Sequence, residues 1–338
     1  MNHLDPTYGS DKDGLVWGYF FVPGEPARPV DADAARDWLA APGSAPEGSF
    51  LWLHFSLSNV AAERWMRRHL SPPEAFLESL RGEVGSTRLE LDGDTLVGVI
   101  HDVLFEFSFD PAAISTVSLC VERRFLVSAR LRPLRSLDRF RASVKAGGTF
   151  RSSTELLGHL LRDQAAVLVD IVRKVTARVD TIEDKLLVHR LASSRRDLGS
   201  LRGLLVRLQR LLAPEPAALF RLLSRPPEWI ADEDLQDLRQ AAEEFSTAVV
   251  DSGALVERIK LLQEELAANV GEQTSRTLFV LTMVTVLALP VNLIAGLFGM
   301  NVGGVPLAAH RHGFLLVVSG LLTLTALLAY LAFRRWRE

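Results

Sequence analysis

Leu278 to Asn301 reads "LFVLTMVTVLALPVNLIAGLFGMN", and its first 21 residues carry no charge. At 1.5 Å of rise per residue, a helix of that length crosses roughly the 30 Å hydrocarbon core of a bilayer. Helices this long in soluble proteins keep a charged face, and this one has none. A second uncharged run of 21 residues, Gly313 to Phe333, follows after a short loop. The pair predicts two transmembrane helices near the C-terminal end, with spans at about 278–299 and 313–333.

The flanks set the orientation. Arg276 precedes the first run, "RRWRE" (Arg334 to Glu338) follows the second, and the loop between them carries only Arg311. The positive-inside rule then places both termini in the cytoplasm and the loop outside. The opening "MNHLDPTYGSDKDG" is polar and acidic, without the basic-then-apolar order of a signal peptide. The region before the first span is therefore expected in the cytosol, and the protein in the inner (plasma) membrane, in contact with the lipid bilayer.

Composition removes other classes. The 338 residues are 48% hydrophobic and 23% charged, with a net charge of −3, so neither general disorder nor a nucleic-acid footprint is expected. The single cysteine, Cys120, excludes an internal disulfide framework. No GxxxxGK[ST], HExxH or paired CxxC occurs, and His54, His101, His159 and His189 lie far apart. Neither an enzyme nor a bound cofactor is expected.

The two spans differ in polarity. The second offers only Ser319, Thr323, Thr325 and Tyr330, whereas the first carries Thr282, Thr285 and Asn292, then Gly296 and Gly299, then Asn301. Thr285, Asn292 and Gly299 are spaced by seven, as are Thr282, Leu289 and Gly296, so they form two adjacent rows on one helix face. An asparagine in mid-membrane is costly unless it meets water or another polar group. Helix–helix glue through an amide hydrogen bond would also satisfy it. Pro290 removes a backbone donor nearby and can kink or loosen the helix. Gly299 permits a non-helical exit, and the helix ends in unsatisfied carbonyls with a partial negative charge. Two helices cannot enclose a polar path alone. Several copies around an axis would give a ring of carbonyl and asparagine oxygens suited to a hard or hydrated divalent cation.

The N-terminal region, 1–152, reads as a cytosolic α/β domain with a largely antiparallel sheet. Runs rich in β-branched and aromatic residues predict strands at Leu15 to Val22, Ser49 to Leu57, Thr95 to Phe107, Ser115 to Glu122 and Arg124 to Leu131. "DADAARDWLA" predicts a helix capped by Asp31 or Asp33, and "NVAAERWMRRHL" another. From Ser153 the period becomes helical. Residues 153–275 predict a helical region and stalk, with a first helix striped by Leu157, Leu161, Leu168, Ile171, Val175, Ile182 and Leu186. A second helix spans about Ala192 to Leu212. A third begins near "RPPEWIADEDL" and runs unbroken into the first span, leaving 276–338 as the transmembrane domain. The acidic residues Glu233, Asp234, Glu243, Glu244, Glu264, Glu265 and Glu272 are read mostly as a solvated face of that helix.

The long charged helix, the span with a central proline, Gly299-Met300-Asn301 at its end, the short loop, the second span and the basic tail together resemble the CorA family of divalent-metal transporters. "LWLHFSLSN" (Leu51 to Asn59), "VERRFLVSARLRPLRSLD" (Val121 to Asp138) and "LLAPEPAALFRLL" (Leu211 to Leu223) belong to the same resemblance. The "VGGVP" after Asn301 is closer to the family's ZntB zinc-transporter branch. The resemblance implies a funnel-shaped homopentamer with an axial pore lined by the first span. It implies that Gly299, Met300 and Asn301 form the ion-selecting mouth. Thr285, Leu289, Asn292 and Gly296 would line the pore below, with Leu281 and Ser275 toward the cytosol. The transported ion, Zn²⁺ or Mg²⁺, is cargo rather than cofactor.

One departure bears on the ion. Val302 to His312 contains no acid, where the family's magnesium channels usually carry one, and it offers His310, Arg311 and His312 instead. A fixed positive charge attracts Mg²⁺ poorly. Neutral imidazole suits Zn²⁺ better, which makes His310 and His312 candidate zinc ligands. The expected function is thus Zn²⁺ transport, with a proton gradient as the drive that the zinc branch implies. A Mg²⁺ or Co²⁺ channel of the same architecture is the first alternative. A membrane-tethered cytosolic sensor or scaffold without transport is the second.

Overall fold

A computed structural model gives the fold and describes residues 9–41, 46–81, 87–105, 107, 109–110, 113–187, 191–300, 306–307 and 311–337. The elements follow in the order β1 (Leu15–Phe21), β2 (Arg28–Val30), α1 (Ala32–Ala40), β3 (Phe50–Ser56), α2 (Ala61–His69), α3 (Glu74–Arg81), β4 (Arg88–Asp92), β5 (Thr95–Val103), β6 (Ile114–Glu122) and β7 (Phe125–Arg130). They continue as α4 (Arg135–Lys145), α5 (Ser153–Leu187), α6 (Leu191–Leu212), α7 (Pro214–Ser224), α8 (Asp232–Phe298) and α9 (Gly313–Arg337). The chain divides into two compact units, Met1–Leu262 and Gln263–Glu338, and α8 contributes to both.

In the first unit the seven strands form one sheet in the order β2-β1-β3-β7-β6-β5-β4. Every neighbouring pair is antiparallel except the central β3–β7, which is parallel. Side-chain alternation along β3 serves two cores. Phe50 and Trp52 face one, while Leu51, Leu53 and Phe55 face the other. Helices α1, α2 and α3 supply Ala35, Met66 and Phe76 to the second core. Helices α4, α5 and α7 supply Phe140, Leu157 and Leu219 to the first. Cover on both faces explains why these strands read as near-continuous apolar runs.

Asp31 caps α1 as expected, its Oδ1 accepting from the Ala34 N–H at 2.8 Å. The strand β2, with Pro29 at its centre on the sheet edge, was not expected, nor was β4. The helices α3, α4 and α7 are also additions to the sequence reading. "APEP" does end α6, but it also opens α7. Pro214 and Pro216 stand in the first turn, where a missing N–H costs no intrahelical bond.

A separate core joins α5, α6 and α8. The α5 residues Leu168, Ile171, Val175 and Ile182 meet Leu198, Leu201, Leu204, Leu205 and Leu208 of α6 and Leu255, Ile259 and Leu262 of α8. Each such leucine or isoleucine stabilises by roughly 1.5–3 kcal/mol on full burial. The expected third helix holds as one element, running unbroken through Pro290 to Phe298. One reading of its acidic face changes. Asp234 is buried, while Glu233, Glu243, Glu244, Glu264, Glu265 and Glu272 are exposed.

Candidate pore-lining site

In the second unit, both apolar helices leave most of their surface exposed. The most apolar stretches of α8 and α9 have mean hydropathies of 2.3 and 2.1 and are almost entirely unburied. A core helix of a soluble protein would be covered, so length and exposure together favour a lipid environment.

The little burial that exists is ordered. On α8 the half-buried positions are Phe279, Met283, Leu287, Pro290, Val291 and Ile294, one stripe at helical spacing. On α9 they are Val317, Val318, Leu321, Thr325, Leu328 and Ala329, again one stripe. At about 100° per residue, Leu281, Thr285, Leu289, Asn292, Gly296 and Gly299 share an arc of roughly 80°. That arc is centred about 180° from the half-buried stripe of α8. All six are exposed. Ser275 is exposed as well, but it stands about 80° around the helix from Thr285 and so off the centre of the row.

Local hydrogen bonds shape the row. Thr282 Oγ1 donates to the Leu278 carbonyl at 2.8 Å, and Thr285 Oγ1 to the Leu281 carbonyl at 2.9 Å. These back-bonds use the hydroxyl hydrogens and leave oxygen lone pairs outward. At the end of α8, the Gly299 N–H still closes a helical bond to Ala295 O at 2.9 Å, and the Met300 N–H turns to Leu297 O at 3.4 Å. Gly299 therefore ends the helix without adopting a left-handed conformation. Its lack of a side chain matters for space instead, since a Cβ would stand 3.2 Å from Ala295 O. Met300 is exposed. Asn301 lies outside the described residues.

Of the two loop histidines, His310 lies outside the described residues. His312 stands just before α9, its carbonyl accepting from the Leu316 N–H at 3.1 Å, which makes it the residue that opens that helix. Arg311 is exposed. Leu307 has a positive φ of 62°, and its carbonyl oxygen occupies the space a Cβ on Gly313 would need. Glycine at 313 thus lets the loop close onto the first turn of α9. Among the described residues no group of three or more histidine, cysteine, aspartate or glutamate side chains is placed to hold a metal ion.

A second feature, missed in the sequence, ties the first turn of α8 to the start of α5. Arg151 reaches Glu155 at 3.3 Å, Glu233 at 2.6 Å, Asp234 at 3.4 Å and Asp237 at 2.9 Å. Ser152 Oγ donates to Asp234 in a short hydrogen bond. Burial raises the Asp234 carboxyl above its usual range, against the opposing pull of Ser152 and Arg151. No local pattern announces this cluster, because its α8 acids Glu233, Asp234 and Asp237 lie more than 80 residues from Arg151.

Comparison with known proteins gives consistent matches. Residues 47–335 match the family described as CorA-like Mg²⁺ transporter protein. The chain is 27% identical to the divalent cation transporter CmaX of Pseudomonas aeruginosa, over 90% of this chain and 91% of that one. It is 24% identical to the zinc transport protein ZntB of Pectobacterium atrosepticum, over 78% and 80% respectively. The solved full-length CmaX structure superposes with a TM-score of 0.81 at 25% identity, covering 98% of this chain and all of that one. The CorA magnesium transporter of Methanocaldococcus jannaschii shares the fold, with a TM-score of 0.75 at 19% identity over 94% and 97% of the two chains.

Proposed function

The chain belongs to the CorA-like Mg²⁺ transporter family, and from that premise we propose that it carries Zn²⁺ across the inner membrane along the axis of a homopentamer. The observation that carries this reading is the polar row on α8, which is exposed and points away from the half-buried stripe. Among the described residues no hydrogen bond reaches the Asn292 amide. A face carrying Asn292, Thr285 and two glycines is costly against lipid, so it belongs against other copies of itself around a wet axis.

In this arrangement, Gly299, Met300 and Asn301 form the outer mouth. Their carbonyl and amide oxygens replace part of the ion's hydration shell. Leu289 and Leu281 narrow the path below, with Ser275 at its margin. Both termini are cytoplasmic. The loop without acids, with His310 and His312, favours Zn²⁺ over Mg²⁺. The family's description favours Mg²⁺ as the second reading.

Uptake by proteoliposomes holding the purified chain tests both. Zn²⁺ uptake above Mg²⁺ uptake, reduced by Asn301→Leu without loss of the pentamer, is expected. Preferential Mg²⁺ uptake reverses the choice of ion. Absence of flux for every divalent cation would leave the spans as anchors. The same vesicles with an imposed pH gradient report whether protons drive the flux.

A further inference from the structure

A polar cluster where β5 meets α5 and α7 has no part in the transport reading. His101, Asp102, Gln164 and Glu215 are all at most 3% exposed. Hydrogen atoms there can be counted. Thr87 Oγ1 donates its one hydrogen to Leu211 O at 3.0 Å, so it accepts from His101 Nδ1 at 2.8 Å. The other ring nitrogen, Nε2, is then an acceptor. Gln164 Nε2 donates to His101 O at 2.5 Å and to Glu215 Oε2 at 3.1 Å, which uses both amide hydrogens. Among the described residues three buried atoms of the cluster find no hydrogen-bond partner: His101 Nε2, Gln164 Oε1 and Glu215 Oε1. With a carboxylate at Glu215 all three are acceptors. The cluster is short of hydrogen, and a buried polar atom without a partner is expensive.

We propose that Glu215 is a proton-binding site of the first unit, its Oε1–H donating to Gln164 Oε1 while Gln164 Nε2 donates to Glu215 Oε2. This two-bond carboxyl–amide pair satisfies two of the three orphaned acceptors with one proton. The neighbouring carboxyl has a different environment. Asp102 accepts from Ser136 N–H at 2.9 Å, from Ser136 Oγ at 2.5 Å and from Val103 N–H at 2.7 Å, so it is furnished to carry charge.

The surrounding charges agree. Burial holds the Glu215 carboxyl well above the usual range, and the Asp102 charge on β5 pushes it the same way. Burial also raises Asp102, to about 6, with Asp138 on α4 adding to the shift. Burial lowers His101, which keeps its imidazole neutral. The first turn of α7, Gln164 and the His101 backbone N–H all favour a carboxylate at 215, but burial outweighs them. Among the described residues no arginine or lysine acts on Glu215. The adjoining cavity, about 10 Å³ and lined by His101, Asp102 and Gln164, has room for one water at most.

The cluster joins the last turn of α6, the first turn of α7, α5 and the sheet. Ionising Glu215 would turn a donated hydrogen bond into a charge facing Gln164 Oε1 and Asp102. The α6–α7 junction would then loosen from β5 as pH rises, which makes this unit responsive to cytosolic pH.

Infrared spectra of the full-length protein in detergent test the assignment. A protonated-carboxyl band is expected at pH 7, lost in Glu215→Gln and lost in the wild type as pH is raised further. The wild-type unfolding midpoint should fall over the same range, and that of Glu215→Gln should fall less. Asp102→Asn removes a like charge, so the band should disappear at lower pH; this variant decides the matter if Glu215→Gln does not fold. Absence of the band at pH 7, its persistence in Glu215→Gln, or its displacement by Zn²⁺ or Mg²⁺ would overturn the proposal.

Discussion

Between Asp232 and Leu262, α8 buries Leu238, Ala241, Phe245, Ala248, Leu255 and Ile259 and turns Glu233, Glu243, Glu244 and Glu257 outward. Between Leu278 and Phe298 the same helix is half-buried at best, and its outward face is apolar except for one polar row. Leu281 and Leu289 are each 62% exposed, whereas Ile259 is fully buried. The first part satisfies the rule for water, with apolar groups inside. The second inverts it, and its polar row needs partners that one chain does not provide. One helix thus changes solvent along its length, and the meaning of an exposed side chain changes with it.

The largest test of this contrast is Asn292→Leu. If the row faces a wet axis, losing a hydrogen bond to an ion or its hydration shell costs about 1.5–3 kcal/mol, which is roughly a 10- to 100-fold fall in flux. Pentamer assembly should survive, as read by light scattering. Normal flux with a dissociated pentamer would assign Asn292 to helix–helix glue instead.

Ile259→Ala probes the other half. Deleting a fully buried isoleucine should cost about 2–5 kcal/mol in thermal or denaturant unfolding. Leu289→Ala, at a site 62% exposed, should cost far less stability and alter flux instead. Equal stability losses for the two would erase the distinction between the halves.

Charge extends the contrast to the first unit. Asp102 is raised from 3.8 to about 6 in the folded state. A raised folded value means that the folded state binds the proton more tightly, so this contribution is full below about pH 4 and is lost as pH rises to about 6. The decline should amount to about 3 kcal/mol, and Asp102→Asn should remove it from the pH profile of unfolding.

Smaller effects follow. Gly313→Ala places a Cβ against the Leu307 carbonyl, and about 1–3 kcal/mol of strain is expected, seen as a lowered unfolding midpoint. Arg151→Ala removes four ion pairs but from a side chain 47% exposed, so about 1 kcal/mol is expected, weaker still in high salt.

These features differ in how well the sequence announces them. Both apolar helices, the stripes of α5 and α8 and the row from Leu281 to Gly299 are periodic within one helix, so local spacing reveals them. Short elements escaped. β2 has three residues with a proline at its centre, and α7 is hidden by the two prolines that begin it. The Arg151 cluster and the Glu215–Gln164 pair escaped for another reason. Their partners are 51 or more residues apart, apart from Glu155, so no window of sequence contains them. Polarity in a span marks itself, whereas polarity in a folded core emerges only when distant elements meet.

The central β3–β7 pair is parallel, joining Leu51 to Phe125 and Ser56 to Arg130. Its partners are 74 residues apart, so the middle of the sheet cannot close until residue 130 has been synthesised. At roughly 5–20 residues per second, the ribosome needs on the order of ten seconds or more to go from there to Leu278. The sheet therefore has time to complete itself before the first apolar span appears. The strand order sets a schedule in which the sheet can be complete before the first apolar span begins insertion.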